Sequence, residues 1–238
     1  MLDFLAVGDV MLDVRLPSAP TGARQHGVIT STAAGSAVNA ARAAVRLGAR
    51  AGVAGAIGDD TVGRVIALEL EAAGIEPHLA RIDASTTGTA VYSRDAVVAD
   101  RGANAFFVPQ SLPDARVTLV SGYLPAAARR RALALAHGLR GVDLQGVAED
   151  AGDADVVIGP HLDLEALTGH HPVVCSTLGA DGAAAVRGGE HVQEPPSRVL
   201  AASPVGAGDA FAAAFLLALA DDLPLAECVR RGCAAAIS

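Results

Sequence analysis

The chain contains no lysine, so every one of its 18 basic residues is arginine. That absence removes two chemistries. A P-loop kinase needs a lysine on the β- and γ-phosphates, and a Schiff-base enzyme needs an amine to condense with a carbonyl. Aromatics are scarce as well: tryptophan is missing, and the Phe, Tyr and Trp share is 3%. Stacking against a large flat base is therefore poorly supplied. Basic charge falls short of acidic charge, leaving a formal net charge of -8. This argues against nucleic acid or an anionic membrane surface as main partner, although amides, arginines and a metal ion can still gather a nucleotide. The three cysteines, Cys175, Cys228 and Cys233, have neither zinc-site nor disulfide-framework spacing. They read as reduced and buried, and the chain as cytoplasmic. Long apolar runs are lacking too. Phe4 to Val7 is short, flanked by Asp3 and Asp9, and has no basic leader, so neither a signal peptide nor a membrane span is expected.

What is present is a hydrophobic fraction of 51% in 238 residues, enough for one sizeable domain with a core of Ala, Val and Leu. Pro204-Val205-Gly206-Ala207-Gly208-Asp209-Ala210-Phe211 reads as the turn of a strand, tight turn and buried helix, with Val199 and Leu200 as the lead-in. Glycines there let the backbone approach a ligand, and the first helical amides have no intrahelical acceptor, which suits phosphate. Asp209 in that first turn is either a helix-stabilising charge or a proton acceptor. Upstream, Phe4 to Val7 reads as a buried strand leading to Gly8-Asp9 and Asp13; Asp9 reads as a turn or capping residue. Gly35 to Leu47 reads as a helix with Val38, Ala41, Val45 and Leu47 inward and Arg42 and Arg46 outward. Strand Ala51 to Gly58 is followed by a helix capped at Asp59-Asp60-Thr61. Thr86 to Asn104 reads as two short strands turning near Asp95, and Arg101 as a substrate contact or a surface ion pair. Helix Ala126 to His137 carries Arg129-Arg130-Arg131 as a solvated face. Strands at Val117 to Ser121, Gly141 to Leu144, Asp155 to Ile158 and Val173 to Thr177 complete a βα alternation, which predicts an α/β fold with a mostly parallel sheet. Thr177-Leu178-Gly179-Ala180-Asp181-Gly182 leads into a further strand. It reads as a plain hairpin or as a phosphate contact.

Gly206-Ala207-Gly208-Asp209-Ala210-Phe211 resembles the carboxy-terminal signature of the ribokinase-like (PfkB-type) carbohydrate kinases. The likeness extends to Gly35 and Asn39 in a Gly-Gly-x-x-x-Asn motif, to Gly58-Asp59-Asp60-x-x-Gly63, and to Thr177-Leu178-Gly179-x-x-Gly182. It implies a three-layer αβα Rossmann-like domain over residues 1–238, with a small β lid from about 13–32 and 86–104. It further implies ATP-dependent phosphorylation of a hydroxyl of a sugar or sugar-like molecule, with Mg²⁺, and allows a homodimer through the lid. By position, Gly206, Ala207 and Gly208 would form the anion hole, with Asp209 the base. Asp13, Gly35 and Asn39 would hold substrate, and Thr177, Gly179 and Gly182 the nucleotide. The departures are specific. Ser203-Pro204 replaces the family's Asp-Thr, Ala34 its first glycine, and Ser36 a common lysine. The family's Asn-x-x-Glu finds Pro160 and Asp163 in one register and Leu162 and Glu165 in another, leaving Asp163 and Glu165 as weak metal candidates. Two other readings follow: a non-catalytic sugar- or nucleotide-binding protein of the same fold, and a nucleoside kinase.

Overall fold

The computed structural model describes residues 1–16, 27–93, 96–146, 150–197 and 205–236. The expected strand at Val199-Leu200, Ser203-Pro204, His26 and the turn at Asp95 lie outside those residues. Strand β1 (Leu2–Val7) leads to β2 (Met11–Arg15) and β3 (Thr30–Ala34), then helix α1 (Ser36–Arg46), β4 (Ala51–Gly58), α2 (Thr61–Ala72) and β5 (Ile75–Ile82). β6 (Gly88–Tyr92) and β7 (Val97–Asp100) follow, then β8 (Ala115–Ser121), α3 (Ala126–Leu135), β9 (Leu139–Asp143), β10 (Val156–Pro160) and the short α4 (Leu164–Thr168). The chain continues through β11 (Val173–Thr177), β12 (Ala183–Arg187), β13 (Glu190–Glu194), α5 (Ala207–Ala220) and α6 (Leu225–Ala235).

The strands form a nine-stranded sheet, ordered β13-β12-β11-β10-β9-β8-β1-β4-β5, and a four-stranded sheet, β3-β2-β6-β7. From β5 to β11 the large sheet is parallel; β12 and β13 add an antiparallel edge. Strict alternation explains the layers, because successive side chains leave opposite faces of a strand. Phe4, Ala6, Val117, Leu119, Val156 and Ile158 join one core with α1, α2, α5 and α6. Leu5, Val7, Val120 and Val157 join a second core with α3 and residues that pack from α4. Covered on both faces, these strands read as near-continuous apolar runs.

Helix α5 is buried nearly all round between its neighbours and the sheet. Small residues permit this: Ala37, Ala40, Ala41 and Ala44 line the buried side of α1, and Phe211 and Phe215 stack at 5.9 Å beneath α5. Helix-face expectations are corrected at Leu47, Arg129 and Arg42. Leu47 is 53% exposed, because α1 has ended and its backbone turns toward Gly48. Arg129 is buried, not solvated: its guanidinium donates to the carbonyls of Leu124 (2.9 Å), Gly122 (3.4 Å) and Asp150 (3.0 Å). It ties the loop after β8 to the start of α3.

The small sheet carries the segments expected as the lid, and three clasps join it to the body. Asn104 accepts from the Val10 amide and donates to the Val10 carbonyl, both at 2.9 Å. Glu69 accepts from Thr32 Oγ1 (2.6 Å), the Ala33 amide (3.0 Å) and Arg42 Nη2 (2.8 Å). Arg42, expected to face outward, also donates to the Ala33 carbonyl. Asp60 caps α2 through the Gly63 amide (2.7 Å) as its position implies, and also accepts from the Thr87 amide (2.7 Å) and Thr87 Oγ1 (2.6 Å) where the chain enters β6. Among the described residues, no helix is long and apolar enough to cross a membrane. Because Asp60 serves both a cap and a crossing, Asp60→Ala is expected to lower the unfolding free energy by about 1–3 kcal/mol. An unchanged denaturant midpoint would contradict that double role.

Candidate active site

Strand β1 has β4 on one side and β8 on the other, so the chain winds outward to β5 and then returns to start the opposite half of the sheet. Such a switch point leaves a crevice at the carboxyl ends of the strands, where α/β proteins place ligands. Here the ends are Val7, Ser121 and Asp143, the last two paired in register. Ser36, at the start of α1, donates to Ser121 Oγ at 2.8 Å. A small cavity lies over these ends, lined by Ser36, Ser121, Asp143, Gln145 and Asp209.

Helix α5 aims its amino terminus at this crevice. Its cap, Gly206, is left-handed with φ 85°, and no side chain caps the helix. That conformation suits glycine, and a Cβ there would lie 3.2 Å from the Asn39 side chain. The first amides of α5 thus have no intrahelical acceptor, and among the described residues no side chain caps them. Asp209, in the first turn, is buried. Its carboxylate accepts from Asn39 Nδ2 at 3.0 Å and from Gln145 Nε2 at 3.2 Å. Gln145 Nε2 also donates to Asp143 Oδ2, and the Gln145 amide to Asp143 Oδ1 at 3.2 Å.

Burial pushes the Asp209 carboxyl up to about 7 against the opposing bond from Asn39. Asp143 is also pushed up to about 7, first by burial and then by the charge of Asp209. A helix amino terminus alone would favour the ionised form of Asp209, as the sequence suggests, by at most about 2 kcal/mol. Full burial can shift a carboxyl by about 3–5 units, or roughly 4–7 kcal/mol, so desolvation wins. Tyr123 stands over the same acids. Its phenol is raised by burial and then by Asp209, Asp143 and Asp9.

The other expected residues are distributed around this centre. Asp13 is buried on the lid strand β2, opposite Thr32. Burial raises its carboxyl against Arg15, 3.6 Å away, and a hydrogen bond with Tyr92. Asp13 does not line the cavity beside Asp209. Gly35 caps α1 at φ 102°, where a Cβ would sit 2.3 Å from the Asp9 carbonyl oxygen, so a close approach of backbones requires the glycine. Asp9 itself is more than a turn residue: it is buried and takes both Arg101 Nη2 (2.7 Å) and Arg101 Nε (3.2 Å). Thr177 ends β11, and Gly179 and Gly182 flank the turn into β12. That stretch is indeed an antiparallel hairpin. Asp163 is exposed and spends its carboxylate capping α4 at the Ala166 amide, 3.1 Å away; Glu165 is exposed on the same helix. Among the described residues no group of three or more His, Cys, Asp or Glu side chains could hold a metal.

Sequence reasoning missed Asp143, Gln145, Tyr123 and the Ser36–Ser121 pair. Asp143 carries the signal that singled out Asp9 and Asp13, an acid emerging at a strand end, but extending that strand to Leu144 hid it. Gln145, Tyr123 and the serines have no local signal.

The family model for pfkB family carbohydrate kinases matches residues 1–141 and 155–237. Among solved structures, the chain is similar to adenosine kinase from Sinorhizobium meliloti at 24% identity, with 99% of this chain and 92% of that one covered and a TM-score of 0.81. It is similar to Arabidopsis thaliana ribokinase complexed with ribose and ATP at 20% identity, covering 99% and 91%, TM-score 0.80. An E. coli protein described as ribokinase II, in complex with ATP and Mg²⁺, matches at 15% identity, covering 100% and 94%, TM-score 0.82. These likenesses show that the fold is shared.

A buried acid with a raised proton affinity gives stability that is complete below its unfolded pKa and lost as the pH rises through the folded value. For Asp209 that window runs from the ordinary carboxyl value, 3.8, to about 7. Asp209→Asn is therefore expected to be more stable than the parent at pH ~8, by about 1–3 kcal/mol, with the gain vanishing near pH ~4. Denaturant curves at the two pH values check this; a pH-independent difference would contradict it.

Proposed function

The chain belongs to the pfkB family of carbohydrate kinases, and from that premise we propose that it transfers the γ-phosphate of ATP to a hydroxyl of a sugar or sugar-like small molecule. The observation that carries this reading is the Asn39–Asp209 hydrogen bond, 3.0 Å long. It joins the segment expected to hold the acceptor to the segment expected to receive the phosphate.

The residues fit the nucleotide's phosphate. Gly206 turns the backbone into α5 in a left-handed conformation with no side-chain cap among the described residues. A Cβ on Gly208 would meet no heavy atom closer than Gln145 Nε2 at 4.0 Å. A nest of this kind at a helix amino terminus favours an anion without any lysine. When bound, ATP supplies the phosphoryl group, and Mg²⁺ neutralises charge between its phosphate oxygens. With no protein cage among the described residues, Mg²⁺ would be held mainly by phosphate and water, which is its usual preference. Asp163 and Glu165 stay candidates for one of those waters.

In this reading Asp209 takes the proton as the acceptor oxygen bonds to phosphorus and the bond to the nucleotide breaks. Amides of Gly206, Ala207 and Gly208 stabilise the charge on the transferred group. Asn39 is suited to two tasks, since its amide nitrogen is given to Asp209 while its carbonyl oxygen is left to accept from a substrate hydroxyl. Asp13 and Gly35 bind the acceptor from the lid side, and Thr177, Gly179 and Gly182 contact the nucleotide. A carboxyl near neutrality is matched to a base that must be ionised before reaction and protonated after it. A nucleoside acceptor is the second reading, favoured by Tyr92 and Tyr123, which lie near enough for one to influence the other beside the acids. Exposed Val97 and Val98 on β7 support the lid as the surface joining two copies.

A coupled assay with ATP, Mg²⁺ and a panel of sugars, sugar acids and nucleosides identifies the acceptor. Against the best of them, Asp209→Asn is expected to lower kcat by about 10²–10⁴ with KM within a few-fold. Turnover within tenfold of the parent would remove Asp209 from the role of base.

A further inference from the structure

Asp143 and Asp209 come from different elements, β9 and α5, yet one amide bridges them. Gln145 lies two residues beyond β9 with φ 53°, a left-handed conformation uncommon outside glycine and often retained at functional sites. That turn brings the Gln145 backbone N–H to Asp143 Oδ1 (3.2 Å) and its side-chain Nε2 to Asp143 Oδ2 and to Asp209 Oδ1 (3.2 Å). The second oxygen of Asp209 takes Asn39. Every one of these donors is neutral.

Among the described residues the surroundings add no unpaired cation. The Tyr123 phenol faces Asp209, Asp143 and Asp9. Asp9 is paired with Arg101. The Cys175 thiol of β11 lies close enough to feel Asp143, and Ser36 and Ser121 bond to each other. Two buried carboxylates sharing neutral donors cannot both ionise cheaply, because each charge opposes the other in a poorly solvated site.

We propose that Gln145 is a positioning residue that ties Asp143 to Asp209, so that the two carboxylates hold and release protons as one unit during phosphate transfer. The inference rests on Asp209 being the base. With one proton in the unit, a neutral Asp143 lets Asp209 stay ionised. When the acceptor O–H breaks and an O–H forms on Asp209, both become neutral, and the surplus proton leaves to water after product release. Burial, which raises both carboxyls, favours this sharing.

The test is the pH profile of kcat/KM. The parent should work with one proton in the unit and lose activity on the alkaline side as that last proton leaves near neutrality. Asp143→Asn, which keeps shape but can neither hold nor release that proton, should abolish this limb. Gln145→Leu should lower kcat about tenfold or more with KM nearly constant, and should displace the same limb. An unmoved limb in both variants overturns the proposal. Should the variants fail to fold, carbon-13 carboxyl NMR of the parent decides. Two coupled steps, the later near neutrality, support the unit; two independent steps below pH ~5 overturn it. If no acceptor on the panel is phosphorylated, the kinase reading falls, and the NMR titration still settles whether the pair exists.

Discussion

A neutral amide donating to a buried carboxylate holds this molecule's two halves in register. Asn39 sits on the first helix after the lid, Asp209 on the helix that opens at Gly206, and the bond between them fixes where both segments face the crevice. The arrangement is electrostatically expensive. A carboxylate in this position has lost most of its water and is offered amide donors instead of a cation. The sheet around it explains how that is tolerated. Covered on both faces by two continuous cores, it fixes the strand ends on which Ser121 and Asp143 stand. Strain and desolvation at the crevice are offset by packing elsewhere.

The lid is attached by a different kind of contact. Asn104, Glu69 and Asp60 each use a side chain to satisfy main-chain groups of a passing strand. Asp9 with Arg101 adds a half-buried, bidentate ion pair where β1 hands over to β2. Such clasps fix the crossing points while leaving the outer strand β7 exposed to solvent. The small sheet is therefore joined to the body by directed hydrogen bonds, in contrast to the apolar packing within the body. Arg42 and Arg101 illustrate the lysine-free composition: both act as planar forks on carboxylate or carbonyl partners, a task for which arginine is suited.

Much of this was legible in the sequence. Alternation and the spacing of turn residues gave the βα order, and α5 and α6 begin where Gly206 and Pro224 imply. Gly35 and Asn39 announced the start of α1. The strands of the small sheet fall in or beside the two stretches expected as the lid and extend to Met11 and Ala34. What failed was orientation. Helical periodicity put Arg42 and Arg129 outside, yet each turns back to a carbonyl just before its own helix, at Ala33 and Leu124, which helical periodicity does not record. Proton affinity failed as well. The position of Asp209 at a helix start points one way, and only its three-dimensional burial, acting against the bond from Asn39, reverses it.

The central claim is that an acceptor hydroxyl and a phosphoryl group meet between Asp209 and the amides of α5. A crystal structure with acceptor, ADP, Mg²⁺ and a fluoride mimic of the transferring phosphate examines it directly. The account predicts the mimic against the main-chain nitrogens of Ala207 and Gly208, with the acceptor oxygen in hydrogen-bond contact with the Asp209 carboxylate. A mimic bound away from α5, or an acceptor whose hydroxyls face elsewhere, would contradict it.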